Sequence, residues 1–126
     1  MSLRNQIKQK RSELNNRRMI TVKEWGTPAN PARIYYPAIS LKIKQQAYKL
    51  AEHYVRMEDK TAVITAGHLV IAQIITLCED ENGEKLFSKG EFNDMCNDDA
   101  LIYERINSMI ESRLDFSELV EEKKPV

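Results

Sequence analysis

The side chains best able to hold a metal ion or move a proton in this sequence are His53, His68, Cys78 and Cys96. A structural zinc site draws its four ligands from close pairs, a few residues apart within each pair. These four stand 15, 10 and 18 residues apart, with neither an HExxH nor a CxxC arrangement. No metal ligand set is read from them. His68 lies in the most apolar stretch of the chain, where a satisfied core or interface histidine is expected. The four glycines, Gly26, Gly67, Gly83 and Gly90, assemble no phosphate-cradling loop. Carboxylates are plentiful but fall on predicted solvent faces and helix caps. No catalytic, cofactor-binding or metal-binding residue is expected, and the chain reads as a non-enzyme.

The acidic stretch "DENGEKLFSKGEF" (80–92) comes nearest to a ligand site. Asp80 and Glu91 are separated as the first and last ligands of a calcium loop are, with Asn82 at the third position. The sixth position, which needs glycine for its sharp turn, is Lys85, and the glycine comes two residues early. The connector reading fits better. Asn82-Gly83 suits a tight turn with positive φ, and Ser88 to Glu91 has the form of a capping box. The stretch is expected to end one helix, turn, pack Leu86 and Phe87 onto the core, and start another helix.

Those pieces must be positioned by a chain of 126 residues, which is one domain with a modest core. Its 19 basic and 19 acidic side chains balance, but unevenly along the chain. Residues 1–23 carry seven bases and one acid, whereas residues 79–126 carry fourteen acids and six bases. A basic head and an acidic tail invite head-to-tail association. The polar N-terminus has no secretory pattern and the two cysteines form no motif, so reduced cytosol is the expected compartment. Residues 62–78, "AVITAGHLVIAQIITLC", hold no formal charge. They are at the short limit for a membrane span and include Gly67, His68 and Gln73, so a buried soluble helix is expected.

Residues 1–18 form a basic arm or a weak helix, with Leu3, Ile7 and Leu14 as a sparse helical stripe. "MITVKEW" (19–25) and "ARIYYPAI" (32–39) have the alternation of an extended pair or small hairpin around the loop "GTPANP", with Pro37 keeping the second segment at an edge. From Ser40, a capping residue, the period becomes helical through Leu41, Ile43, Ala47, Leu50, Ala51, Tyr54 and Val55, ending near Arg56. A second helix, from about Thr61 to Glu79, is apolar on nearly every side and is the predicted centre of the core. Burial of each Ile, Leu or Val there stabilises by about 1.5–3 kcal/mol. A short helix bears Phe92 and Met95. Asn97, Asp98 and Asp99 then cap a helix whose apolar face is Leu101, Ile102, Ile106, Met109, Ile110 and Leu114. A last short helix begins near Asp115. The predicted fold is mainly α: a compact bundle of four to five helices with a short extended or hairpin-like N-terminal segment. Residues 19–116 form the single helical domain, and 117–126 an acidic polar tail.

Candidate partner or self-association residues are Arg4, Lys8 and Arg11 in the arm, Trp25, Tyr35 and Tyr36 in the extended segments, and Leu86 and Phe87 after the acidic turn. The aromatic residues fit an interface patch or the core equally well. The arm, with Lys10, could contact nucleic acid, but no basic recognition helix follows it and the acidic second half would repel a duplex. Nucleic acid is therefore not the expected partner.

The order "VKEWG", a second extended segment, a helix, an apolar helix ending in "LCEDENGEKLFSKGEF", then "ALIYERINSMIES" resembles the tail assembly chaperone family of long-tailed, lambda-like bacteriophages. Leu77 to Phe92 carries most of the similarity, and Val22 to Gly26 is similar to the family's "VPEWG" opening with Lys23 in place of proline. The resemblance spans about residues 20–115 and leaves the arm without a counterpart. It implies a non-enzymatic protein without cofactors that binds and solubilises the tape measure protein, recruits the major tail tube protein, and self-associates into oligomers or spirals. It also implies action in the host bacterial cytoplasm, absence from the mature virion, and a frameshift-extended form, for which Lys123-Lys124 would suit a slippery site. The alternative from another class is a small nucleic-acid-binding regulator using the basic arm.

Overall fold

The computed structural model describes residues 2–112. Among the described residues the chain is mainly α, with five α-helices and one two-stranded antiparallel sheet. In order these are α1 (Leu3–Leu14), β1 (Arg18–Val22), β2 (Ala32–Tyr36), α2 (Leu41–Val55), α3 (Ala66–Leu77), α4 (Phe92–Cys96) and α5 (Ala100–Ser112). The helix predicted near Asp115, the Leu114 position and the acidic tail lie outside the described residues.

Helix α2 begins where its cap residue stands. The Ser40 hydroxyl accepts the Ile43 N–H at 3.2 Å, and the helix runs to Val55 with Arg56 closing it. Ala47, Leu50 and Ala51 are buried against α3, while Leu41, in the first turn, is exposed rather than part of the apolar face. Helix α3 starts later than the sequence predicts. Thr61 is held in an Asx turn, its N–H and hydroxyl both bonded to the Asp59 carboxylate, and the β-branched run to Thr65 stays irregular. The first helical turn is set instead by a capping box: the Thr65 hydroxyl accepts the His68 N–H, and His68 Nδ1 accepts the Thr65 N–H at 3.0 Å. His68 is thus a half-buried capping residue. From Ile71 to Ile75 every side chain of α3 is buried, as its uniform apolarity requires.

The two-stranded sheet is part of the core. Ile20 and Val22 from β1 and Ile34 and Tyr36 from β2 alternate inward, with Ile20 opposite Ile34 in the register. Strand β1 stops at Val22, and Lys23–Trp25 form a single 3-10 turn instead of continuing the strand. Gly26 makes the return possible: a Cβ there would lie 2.3 Å from the Ala32 nitrogen. Pro37, which has no N–H for a ladder, follows the end of β2.

The acidic stretch resolves as a connector with β character. Asp80 and Glu84 pair through their backbones, Gly83 sits at φ 86°, and the Asp80 carboxylate accepts the Asn82 and Glu84 N–H groups at 2.8 and 3.0 Å. Glu79 also exchanges both backbone bonds with Tyr35, so this turn adds a third short segment beside β2. Leu86, expected on the core, is turned outward and is 41% exposed, because its N–H is spent on the Cys78 carbonyl within this pairing; Phe87 packs against the core. The capping box expected at Ser88 does not form. The Ser88 hydroxyl makes no cap bond, and a 3-10 turn at Lys89–Glu91 leads into α4, which buries Phe92 and Met95.

Helix α5 opens with the Leu101 N–H on the Asp99 carboxylate at 3.0 Å. It buries Tyr103, Ile106 and Ile110, but leaves Leu101, counted in the predicted apolar face, 70% exposed. Among the described residues no helix is long and apolar enough to cross a membrane.

Candidate functional site

Several concave features combine apolar and charged linings, and one of them gathers residues from three separate segments. A groove of about 670 Å³ runs between α2 and residues 85–89. Its floor is Leu50, Tyr54, Ile75 and Phe87, and its rim holds Lys49, Lys85, Lys89 and His53. Among the described residues no carboxylate lines it. Lysines at this rim follow from helical spacing: Lys49 and His53 are four apart on α2 and project on one face.

The rings of the floor pack against neighbouring rings. Tyr54 stacks on Phe92 with centroids 5.4 Å apart and the planes 17° from parallel, and His53 meets Tyr54 edge-on at 4.8 Å. Phe87 meets Trp25 edge-on at 5.8 Å, and Trp25 also lies 6.1 Å from the Tyr103 ring. Lys85 is partly committed elsewhere: its Nζ donates to the Thr76 carbonyl at 2.6 Å and lies 3.5 Å from a Glu79 oxygen. Lys49, Lys89 and His53 remain exposed at the rim.

The sequence-derived candidates do not converge on one surface. Arg4, Lys8 and Arg11 lie along α1, where every described side chain is exposed. Trp25 is 38% exposed and links the 3-10 turn to Phe87 and to α5. Tyr35 is half-buried under the Arg17 guanidinium. Tyr36 is completely buried, since strand alternation points it with Ile34 into the core rather than to an exposed interface. Of the candidate list only Phe87 lines the groove. In the sequence Lys49 and Lys89 look like any solvated lysine, His53 reads as an isolated histidine and Tyr54 as one more apolar position of α2, so nothing marks the four as neighbours.

The residues considered for metal or proton chemistry are scattered. Cys78 is fully buried and burial pushes its thiol up to about 12, while Cys96 is exposed on α4 with its thiol also raised by burial. Among the described residues no group of three or more His, Cys, Asp or Glu side chains is arranged to hold a metal ion. Asp98 accepts the Tyr103 hydroxyl proton at 2.6 Å, and burial followed by this bond raises the phenol above its ordinary value. These are structural pairings. The chemistry that the groove can perform is recognition: an apolar side chain on the aromatic and aliphatic floor, with anionic or polar groups at the lysine rim.

Compared with protein-family models, with curated proteins and with solved structures, the chain matches none.

Proposed function

We propose that this protein is a tail assembly chaperone of long-tailed bacteriophages. It holds the tape measure protein in solution, recruits tail tube subunits around it, and works without enzymatic chemistry in the host cytoplasm before leaving the finished virion. On this reading the fold is a compact helical bundle with a hairpin-like N-terminal segment. The observation that carries the proposal is the groove between α2 and residues 85–89. A floor of Leu50, Tyr54, Ile75 and Phe87 under a lysine rim suits the apolar stripe of an amphipathic helix. A tape measure is long and largely helical with repeated apolar stripes. Many copies, each binding with modest affinity, would cover it by avidity.

The test is co-expression with the tape measure protein of the same genome. The expected result is a soluble complex with many copies of this chain per tape measure, lost on Phe87→Ser or Lys49→Glu. An insoluble tape measure, with this protein alone in the soluble fraction and no rescue by a frameshift-extended form, would overturn the reading. A second reading, a nucleic-acid-binding regulator, is favoured by one observation: Arg4, Lys8, Lys10 and Arg11 all stand exposed on α1. It requires retention on duplex DNA that falls steeply with salt and with neutralisation of those four residues.

A further inference from the structure

Helix α1 contributes no described side chain to the core. Among the described residues its side-chain bonds are local, the Ser2 hydroxyl accepting the Asn5 N–H and Lys10 lying 3.6 Å from Glu13, and every described side chain along it is exposed. A helix of 12 residues is marginal alone in water. Leu3 and Ile7, four apart on one face, are 70% and 50% exposed, and Arg4, Lys8 and Arg11 form a basic stripe beside them. Such a helix calls for an apolar surface bordered by carboxylates.

Two of the grooves on the body differ in whether they meet that requirement. The groove beside α2 is rimmed by Lys49, Lys85 and Lys89 and repels a basic helix. The surface at the start of α5 is the opposite. There Leu101, 70% exposed, and the half-buried Ile102 lie among Glu24, Asp99 and Glu104. Among the described residues Arg105 is the single base lining it and is paired with Glu24. The chain's own α1 leaves this face uncovered, as the exposure of Leu101 records.

We propose that α1 of one copy docks on the Leu101–Glu104 face of a second copy. Leu3 and Ile7 cover Leu101 and Ile102, and the basic stripe faces Glu104 and Asp99. Each copy then offers one helix and one face, a heterologous contact that propagates head-to-tail until it closes into a ring or continues as a filament. The inference names the two faces of the self-association implied above and does not depend on tape measure binding.

The experiment uses the purified full-length chain without any tape measure protein, so its failure and that of the chaperone reading are separable. Sedimentation equilibrium should show a mass that rises with concentration and falls with added salt. Two variants reverse the charges: Arg4→Glu with Lys8→Glu and Arg11→Glu, and separately Glu104→Lys. Each alone should weaken association by about tenfold or more, and mixing the two should restore a heterologous pair. The charge-preserving variant Leu3→Ala with Ile7→Ala should also dissociate the assembly while circular dichroism shows the body folded. A monomer at every concentration, association untouched by the α1 variants, or no recovery on mixing overturns the proposal. So does a monomer that is retained on duplex DNA through α1, which would assign the helix to phosphates.

Discussion

The guanidinium of Arg17 lies over the ring of Tyr35, 4.6 Å from its centroid, while its nitrogens donate to the backbone carbonyls of Asp80 and Glu81 and reach a Glu79 carboxylate. One side chain thereby joins the residues before β1, the edge of β2 and the acidic turn more than sixty residues later. Arg17→Ala should lower unfolding free energy by about 1–2 kcal/mol, from the lost charge-assisted hydrogen bonds and ring contact. Arg17→Lys should recover only part, because an ammonium lacks the planar fork. Urea denaturation of the three proteins decides this, and equal stability of Arg17→Lys and the parent would contradict it.

Gln73 is the buried polar residue of the core, with its Nε2 2.7 Å from Asn107 Oδ1 and 3.4 Å from a Glu111 oxygen. Removing its main partner with Asn107→Ala should cost about 1–3 kcal/mol, since a buried amide is left poorly satisfied. Gln73→Leu combined with Asn107→Leu should be much closer to neutral. A double-mutant cycle by chemical denaturation reads the coupling directly.

Gly26 and Gly90 give opposite expectations for the same substitution. A Cβ at Gly26 would meet backbone atoms of Asn30, Pro31 and Ala32 at 2.3–2.6 Å, whereas nothing lies within 4 Å of one at Gly90. Gly26→Ala should therefore destabilise by about 1–3 kcal/mol or more through forced backbone shifts. Gly90→Ala should be neutral or slightly stabilising. Thermal unfolding midpoints of the two variants make the comparison.

Burial moves the Cys78 thiol from its ordinary 9.0 up to about 12. Its contribution to stability is complete below pH 9, where the thiol is neutral in both states. Above pH 9 the unfolded chain ionises while the folded one does not, so stability falls by about 1.4 kcal/mol per pH unit until the folded value is reached. Tyr103, raised by burial and by Asp98, adds a second loss beginning above its ordinary 10.0. Denaturation curves between pH 8 and pH 11 should show this decline, and Cys78→Ala should flatten the part that starts at pH 9. An unchanged slope in that variant would remove Cys78 as the cause.

What the sequence determined by itself is local. Ser40 and the three-to-four spacing after it specify α2 almost to the residue, because a cap and an apolar stripe act within a few turns. Asn82-Gly83 specifies the turn, since only glycine takes its φ of 86° without strain. The alternation at Ile20, Val22, Ile34 and Tyr36 specifies two strands. The tertiary structure decided the rest. Thr65 and His68 start α3 after the Asx turn at Asp59 delays it, and Leu86 faces outward because Cys78 takes its N–H. Arg17, one of several similar bases in the sequence, is singled out only when folding brings Tyr35 and the 79–81 backbone beneath it. The groove is likewise invisible along the chain, for its floor and rim come from α2, α3 and residues 85–89, and hydrophobicity alone does not distinguish a side chain that fills the core from one that lines a cleft.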